Sequence, residues 1–403
     1  MAKGNDILKG PAIIIDNEIT SEANIKSIIS KIRKHGIPTI EFASFEDAGK
    51  HLKNLLTVNF IILDWQMLPV TSTTAPIGVT AGATLQSDNN TKVIEFIKQI
   101  QQACFAPIFI FTSESQTDID TQIIPALKNA GLYFDEPARN FIYVRNKREI
   151  LRYNRLFKEV ESWMMNTPSI YLLRMWDDSL AKAKNEIFWS LYKKSNGLWP
   201  KILWKHFESE SEDPTSSFCE LISQLVSTTM SLKPLDSRKI LRKTKPVTQE
   251  ISDIHRATMY IGGDLHGIKP GDIFKDGSNY YLNIRPECDT VQGRSGCDNM
   301  LYVLRGHILQ QKELRKFRKD QYSKTMGIIQ HVNEAILPLL DGQSIIRFSF
   351  RKIDVKPIAE LSTKRLCRLT HPYIENIQQR FSTFLGRIGT PRLPKDIEKS
   401  LFI

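Results

Sequence analysis

Six polar residues stand directly behind apolar runs in the first third of the chain. Asp16, Asn17 and Glu18 follow 12–15 (AIII), Asp64 follows 60–63 (FIIL), Thr112 follows 107–111 (PIFIF), and Lys147 comes shortly after 141–144 (FIYV). A carboxylate among them can act as a nucleophile and become an aspartyl phosphate. Neighbouring acids can hold Mg²⁺, a hard cation that takes oxygen ligands and keeps several waters. The metal and a lysine offset the charge on a transferring phosphoryl group. A hydroxyl can report whether the phosphate is present.

For these residues to act together, the runs must bring them to one place. Each run is continuous, β-branched or aromatic, and lacks polar alternation, which predicts strands buried on both faces in a parallel sheet. Between them the spacing predicts helices. Ile25, Ile28, Ile29 and Ile32 repeat at a helical period over 22–35, and Gly36 ends that helix. Further helices are expected over 45–56 and 92–103, a short strand over 38–42, and a long Thr/Ala/Gly/Ser-rich loop over 70–90. The alternation predicts a flavodoxin-like, doubly wound α/β sheet. In such sheets the site lies at the carboxyl ends of the strands, where all six polar residues fall.

The segment LDWQMLP (63–69) resembles the phosphoacceptor segment of two-component response-regulator receiver domains. So do IIIDNE (13–18), IFTSES (110–115) and the basic residue after the last strand. The resemblance spans about residues 10–160, one small domain. It implies that Asp64 is the phosphoacceptor. It also implies that Asp16, Asn17 or Glu18, Asp64 and the backbone of Gln66 surround Mg²⁺. Thr112 is the implied switching hydroxyl, and Lys147 the partner of the phosphate, with Arg145 as the alternative. The chain departs from the family at Asn17, where a second acid is usual, in lacking a Lys-Pro pair, and in the length of the loop after the acceptor.

The chain has 403 residues, 41% of them hydrophobic, and a net charge of +11. The charge is uneven. Residues 1–152 hold 16 basic and 16 acidic side chains, leaving 39 basic and 28 acidic beyond. A neutral module joined to a basic remainder raises the expectation of a polyanionic partner such as nucleic acid. The five cysteines are scattered without a CxxC pair, which fits a reducing compartment. With no long apolar run and no signal-peptide pattern, a cytoplasmic protein without a membrane span is expected. Three domains are expected: a receiver-like domain over 1–160, a helical connector or effector core over 161–245, and a basic effector domain over 246–403. The C-terminal region is expected to be mostly helical α+β.

Two groups in the remainder could do chemistry. Asp272, Arg285, Cys288 and Asp289 cluster around a predicted hairpin with Asp276-Gly277 near its turn. Lys312, Arg315, Lys316 and Lys319 share one face of a helix predicted over 309–324, a candidate phosphate-binding stripe. A helix over 149–165, an exposed loop over 208–217, an edge-like strand over 345–355 and a helix over 371–385 complete the expectations. No helix-turn-helix, Walker loop or zinc motif is visible. The layout resembles receiver–effector proteins of bacterial two-component-like systems, including those placed in antiviral defence. That implies a phosphorylation-gated signalling effector served by a histidine kinase or kinase-like ATPase, with nucleic-acid binding, self-association as a homodimer or an enzymatic act as output. The alternatives are a receiver-regulated nuclease or toxin-like enzyme acting near Asp272, Arg285, Cys288 and Asp289, and a pseudo-receiver scaffold.

Overall fold

The computed structural model describes residues 8–55, 57–67, 80–152, 155–210, 213–241, 245–263, 265, 267–286, 299–310, 312–313, 329–331, 333–342 and 344–386. Two compact units divide the chain: Met1–Phe188 with Val226–Lys245, and Trp189–Leu225 with Pro246–Ile403.

In the first unit the four apolar runs become strands, joined by a fifth. Along the chain come β1 (Ala12–Ile15), α1 (Ala23–Lys34), β2 (Thr39–Phe42), α2 (Phe45–Leu52), β3 (Phe60–Leu63), α3 (Thr80–Ala103), β4 (Ile108–Thr112) and β5 (Ile142–Asn146). A helical stretch over 116–129, with a π-helical turn at Ile119–Ile123, joins β4 to β5. The helices Lys147–Arg152 and Leu156–Asn166 follow. The sheet order is β2-β1-β3-β4-β5 and every pairing is parallel.

The strand residues divide by alternation. Ile13, Ile15, Ile61, Leu63 and Ile110 pack with Leu52 of α2, Phe96 of α3 and Ile119 and Leu127 of the 116–129 stretch. Ile14, Phe60, Ile62, Phe109 and Phe111 pack with Ile25, Ile28 and Ile32 of α1 and with Ile150, Val160 and Met164. Both faces are covered, which is why the runs show no polar alternation. Each fully buried aliphatic side chain contributes about 1.5–3 kcal/mol. The order makes this unit a flavodoxin-like α/β domain, whose topological switch point lies between β1 and β3.

Two N-terminal expectations are corrected. The segment 70–90 is not all loop, because α3 starts at Thr80; the Ala, Leu and Gln of its first turns favour helix by enough to carry it through a Gly and two Thr. The single helix expected over 149–165 is two helices, Lys147–Arg152 and Leu156–Asn166.

The second unit is built around an eight-stranded sheet rather than being mostly helical. Its strands are β6 (Tyr260–Ile261), β7 (Asp272–Asp276), β8 (Asn279–Asn283), β9 (Met300–Ile308), β10 (Ile329–His331), β11 (Glu334–Pro338), β12 (Ile345–Pro357) and β13 (Arg365–Leu369). The order is β10-β11-β12-β9-β8-β7-β13-β6, with antiparallel pairings. The β7–β8 hairpin turns at Gly277 as expected, with φ +59°. β12 is not an edge: β11 and β9 pair on its two sides, with a register shift between Phe348 and Ile353. One face carries the helix Tyr373–Leu385, whose Ile374 and Ile377 meet Ile273, Leu282 and Phe348. The other receives Ile358 and Leu361 against Phe274, Tyr281 and Val303. Gly271 is obligatory here, because at φ +89° a Cβ would stand 2.6 Å from the carbonyl oxygen of Leu369.

The helices Trp199–Ser209 and Pro214–Thr229 occupy most of the segment expected as an exposed loop over 208–217. Among the described residues no helix is long and apolar enough to cross a membrane.

Candidate functional site

Parallel strands end at the same edge, and four of the residues singled out meet there. Asp16 follows β1, Asp64 follows β3, Thr112 closes β4, and Lys147 opens the helix after β5. All four are buried, with exposures of 1%, 4%, 0% and 1%. The Lys147 ammonium is the hub. It stands 2.7 Å from Asp16 Oδ2, 2.6 Å from Glu22 Oε2 and 3.4 Å from Asp64 Oδ1. The first two contacts are hydrogen bonds. The third is longer, and Asp64 Oδ1 is buried without a hydrogen-bond partner.

Each member is held from the backbone side. Asp64 donates its N–H to Ile15 O at 2.9 Å, and Asp16 donates to Phe42 O at 3.1 Å, extending the sheet ladders past the strand ends. Asp16 Oδ1 accepts the Glu18 N–H at 2.8 Å, a local turn that aims the other carboxylate oxygen at Lys147. Asn146 accepts N–H bonds from Arg148 and Glu149, capping the helix that begins with Lys147. Its amide also donates to Glu114 O at 2.6 Å, tying β5 to the loop after β4. Thr112 Oγ1 accepts the Glu114 N–H at 3.2 Å in that same loop. On the Asp64 side, Asn89 of α3 donates to Trp65 O at 2.7 Å and accepts the Met67 N–H at 3.2 Å, fixing the segment after Asp64.

The electrostatics are unbalanced. Three carboxylates, those of Asp16, Glu22 and Asp64, surround one ammonium. Burial pushes the Asp64 carboxyl up to about 7; Lys147 opposes this, and the charges of Asp16 and Glu22 reinforce it. Burial also works against the Lys147 cation, but Asp64 and Asp16 overcome it and raise its pKa above the ordinary lysine value. Glu22 is held below the usual carboxylate range: burial raises it, and hydrogen bonds from Lys147, Asn24 and Ser113 outweigh that.

The remaining sequence candidates lie as follows. Asn17 is half-buried with Oδ1 unpartnered. Glu18 is exposed and lends the cluster only its backbone N–H. Gln66 lies half-buried in the segment after Asp64. Arg145 points away: its Nε donates to Tyr143 Oη at 3.0 Å, and that phenol donates to Glu159. At the sheet edge it is Lys147, and not Arg145, that stands beside Asp64. Glu22 was missed, because it reads as the first residue of an ordinary helix. Its signal was the density of acids after β1, at 16, 18 and 22.

In the second unit Asp272 and Arg285 are linked through Lys269 and Asn283: Lys269 donates its N–H to Asp272, Asn283 donates to Lys269 O and accepts the Arg285 N–H. Asp272, fully buried, accepts from Arg368 Nε at 2.7 Å, from Arg365 Nη1 at 3.2 Å and from the Lys269 N–H at 2.9 Å. Arg285 hydrogen-bonds Met300 O and lies over the Tyr302 ring. Cys288 and Asp289 lie outside the described residues. So do Arg315, Lys316 and Lys319 of the basic stripe, while Lys312 is exposed in a short helical turn. Among the described residues no group of three or more His, Cys, Asp or Glu side chains is arranged to hold a metal.

No protein-family model matches the chain, and no curated protein matches it. Among solved structures, a fusion carrying the yeast Spc42 trimeric coiled coil is 13% identical with a TM-score of 0.26, covering 46% of this chain and 97% of that one. A de novo designed Rossmann 2x3 protein is 15% identical with a TM-score of 0.23, covering 38% and 91%. Likenesses at these scores carry no argument about this protein.

Proposed function

We propose that the first unit is a receiver that takes a phosphoryl group on Asp64 and gates the basic C-terminal region. The observation that carries this is Asp64 Oδ1: a buried carboxylate oxygen at the switch point of a parallel sheet, unpartnered and 3.4 Å from a buried ammonium. A carboxylate kept only for structure would be expected to have its oxygens hydrogen-bonded. In the transfer, an Asp64 oxygen attacks phosphorus of a phosphohistidine or acyl phosphate donor. The bond from phosphorus to the donor breaks, and the donor leaves with the electron pair. Lys147 stands ready to meet the new phosphoryl oxygens, and Thr112, one strand over, supplies a hydroxyl to the same edge.

The donor set fits Mg²⁺ in kind. Asp16, Asn17 and Asp64 offer oxygens, two of them buried and unpartnered, and the excess of carboxylates favours a divalent cation. Asp16, Asn17 and Asp64 would hold the ion, whose charge would neutralise the transferring group.

The test is incubation of the full chain with acetyl phosphate and Mg²⁺, followed by intact mass. A base-labile phosphate is expected on the wild type and absent from Asp64→Asn. Equal labelling of the two proteins, or of neither, rejects the acceptor. A histidine kinase or kinase-like ATPase is the class of partner that would supply the phosphoryl group in the cell.

A further inference from the structure

Glu22 occupies the N-cap position of α1, yet its side chain makes no capping bond to that helix. Its oxygens go elsewhere. Oε2 accepts from Lys147 at 2.6 Å, while Oε1 accepts from Ser113 Oγ at 3.0 Å and Asn24 Nδ2 at 3.1 Å. Three segments therefore meet on one carboxylate: the start of α1, the loop after β4, and the residue after β5.

We propose that Glu22 is an internal counterion that the phosphoryl group displaces, and that its release carries the event to α1 and the β4 loop. This rests on Asp64 being the acceptor. Lys147 now makes its two short contacts with Asp16 and Glu22 and its longest with Asp64. A phosphoryl group on Asp64 brings new negative charge and strong acceptors beside the same ammonium. One resident carboxylate must then yield. The Asp16 side chain is 1% exposed and accepts the Glu18 N–H as well. The Glu22 side chain is 14% exposed, so water solvates its charge at lower cost. Glu22 therefore leaves. With it go the anchor of Ser113, next to the hydroxyl of Thr112, and the tie to Asn24 in the first turn of α1. Until then Glu22 restrains Lys147 from the incoming group, so it also sets how readily Asp64 is phosphorylated.

The experiment uses the full chain with acetyl phosphate and Mg²⁺, comparing wild type with Glu22→Gln and Glu22→Ala. Glu22→Gln keeps the shape and removes the charge. It is expected to take phosphate faster by on the order of tenfold, the scale of one charge-assisted hydrogen bond. Amide resonances of Ser113 and Asn24 are expected to move when wild type is phosphorylated. In Glu22→Ala they start displaced and move little further. A purely structural Glu22 would instead lower thermal stability and leave the rate and the phosphorylation-linked shifts alone. If wild type is labelled but Glu22→Gln is no faster, or the two resonances stay fixed on phosphorylation, the counterion role is overturned and the acceptor stands. Labelling of neither overturns both.

Discussion

Two buried ionic clusters in this protein have opposite compositions. In the first unit one lysine faces Asp16, Glu22 and Asp64. In the second, Asp272 faces Arg365 and Arg368. The surplus arginine charge is absorbed by the backbone, because Arg365 also donates to Gly267 O and Leu265 O and Arg368 to Gly267 O. Every component there ties β13 and the 265–269 segment to β7. At the sheet edge of the first unit Asp16 and Glu22 are also hydrogen-bonded beyond Lys147, but Asp64 Oδ1 has only the 3.4 Å approach of the ammonium and no hydrogen bond. A cluster that satisfies its members stabilises a fold. One that leaves a buried carboxylate oxygen without a hydrogen bond is the place where the proposed chemistry would occur.

If that contrast is sound, changes to the two clusters should have predictable and partly opposite effects. The largest is expected for Lys147→Met, which leaves three carboxylates without a cation and should cost about 3–5 kcal/mol in urea unfolding followed by Trp fluorescence. A loss below 1 kcal/mol would show that the carboxylates discharge by protonation and that the hub matters little. Asp272→Asn should cost about 2–3 kcal/mol in the same measurement, since its two guanidinium partners cannot neutralise themselves.

Asp64→Asn is expected to have the opposite sign and to stabilise the protein. The folded carboxyl titrates at about 7, against about 3.9 for a free aspartate. Between these values the native state binds more protons than the unfolded chain, so wild-type stability falls as pH rises through that window. The melting temperature of Asp64→Asn should therefore match wild type near pH 4, rise above it toward pH 7, and keep a constant lead beyond. A lead that is flat with pH, or negative, would break the comparison. The smallest effect belongs to Asn146→Ala, which removes the cap of the Lys147 helix and should cost about 1 kcal/mol by thermal melting. It should also raise hydrogen exchange at Glu114, whose carbonyl Asn146 holds.

The first unit was largely legible in the residues. Its apolar runs are local signals, and parallel strands place every carboxyl end at one edge, so Asp16, Asp64, Thr112 and Lys147 could be gathered without coordinates. Glu22 could not, because its use depends on how the β1–α1 turn aims a side chain that by position should cap its own helix. Asn89 was hidden in a segment whose composition resembles a loop. The choice between Arg145 and Lys147 waited on packing. Arg145 lies within β5 and is drawn to Tyr143 and Glu159, whereas Lys147 lies past the strand and turns onto the sheet edge.

The second unit was less legible. The β7–β8 hairpin showed itself through its turn, but β9 pairs with β12, and β13 with β7, across long stretches of chain. Asp272 looked like a candidate for chemistry because its two arginines lie some ninety residues downstream. The sequence by itself determined the parallel sheet of the first unit and the edge where its chemistry collects, since buried runs and strand polarity are written in consecutive residues. Only the tertiary structure decided which carboxylate is satisfied and which is left open, because the partners of a buried charge come from segments that meet only on folding.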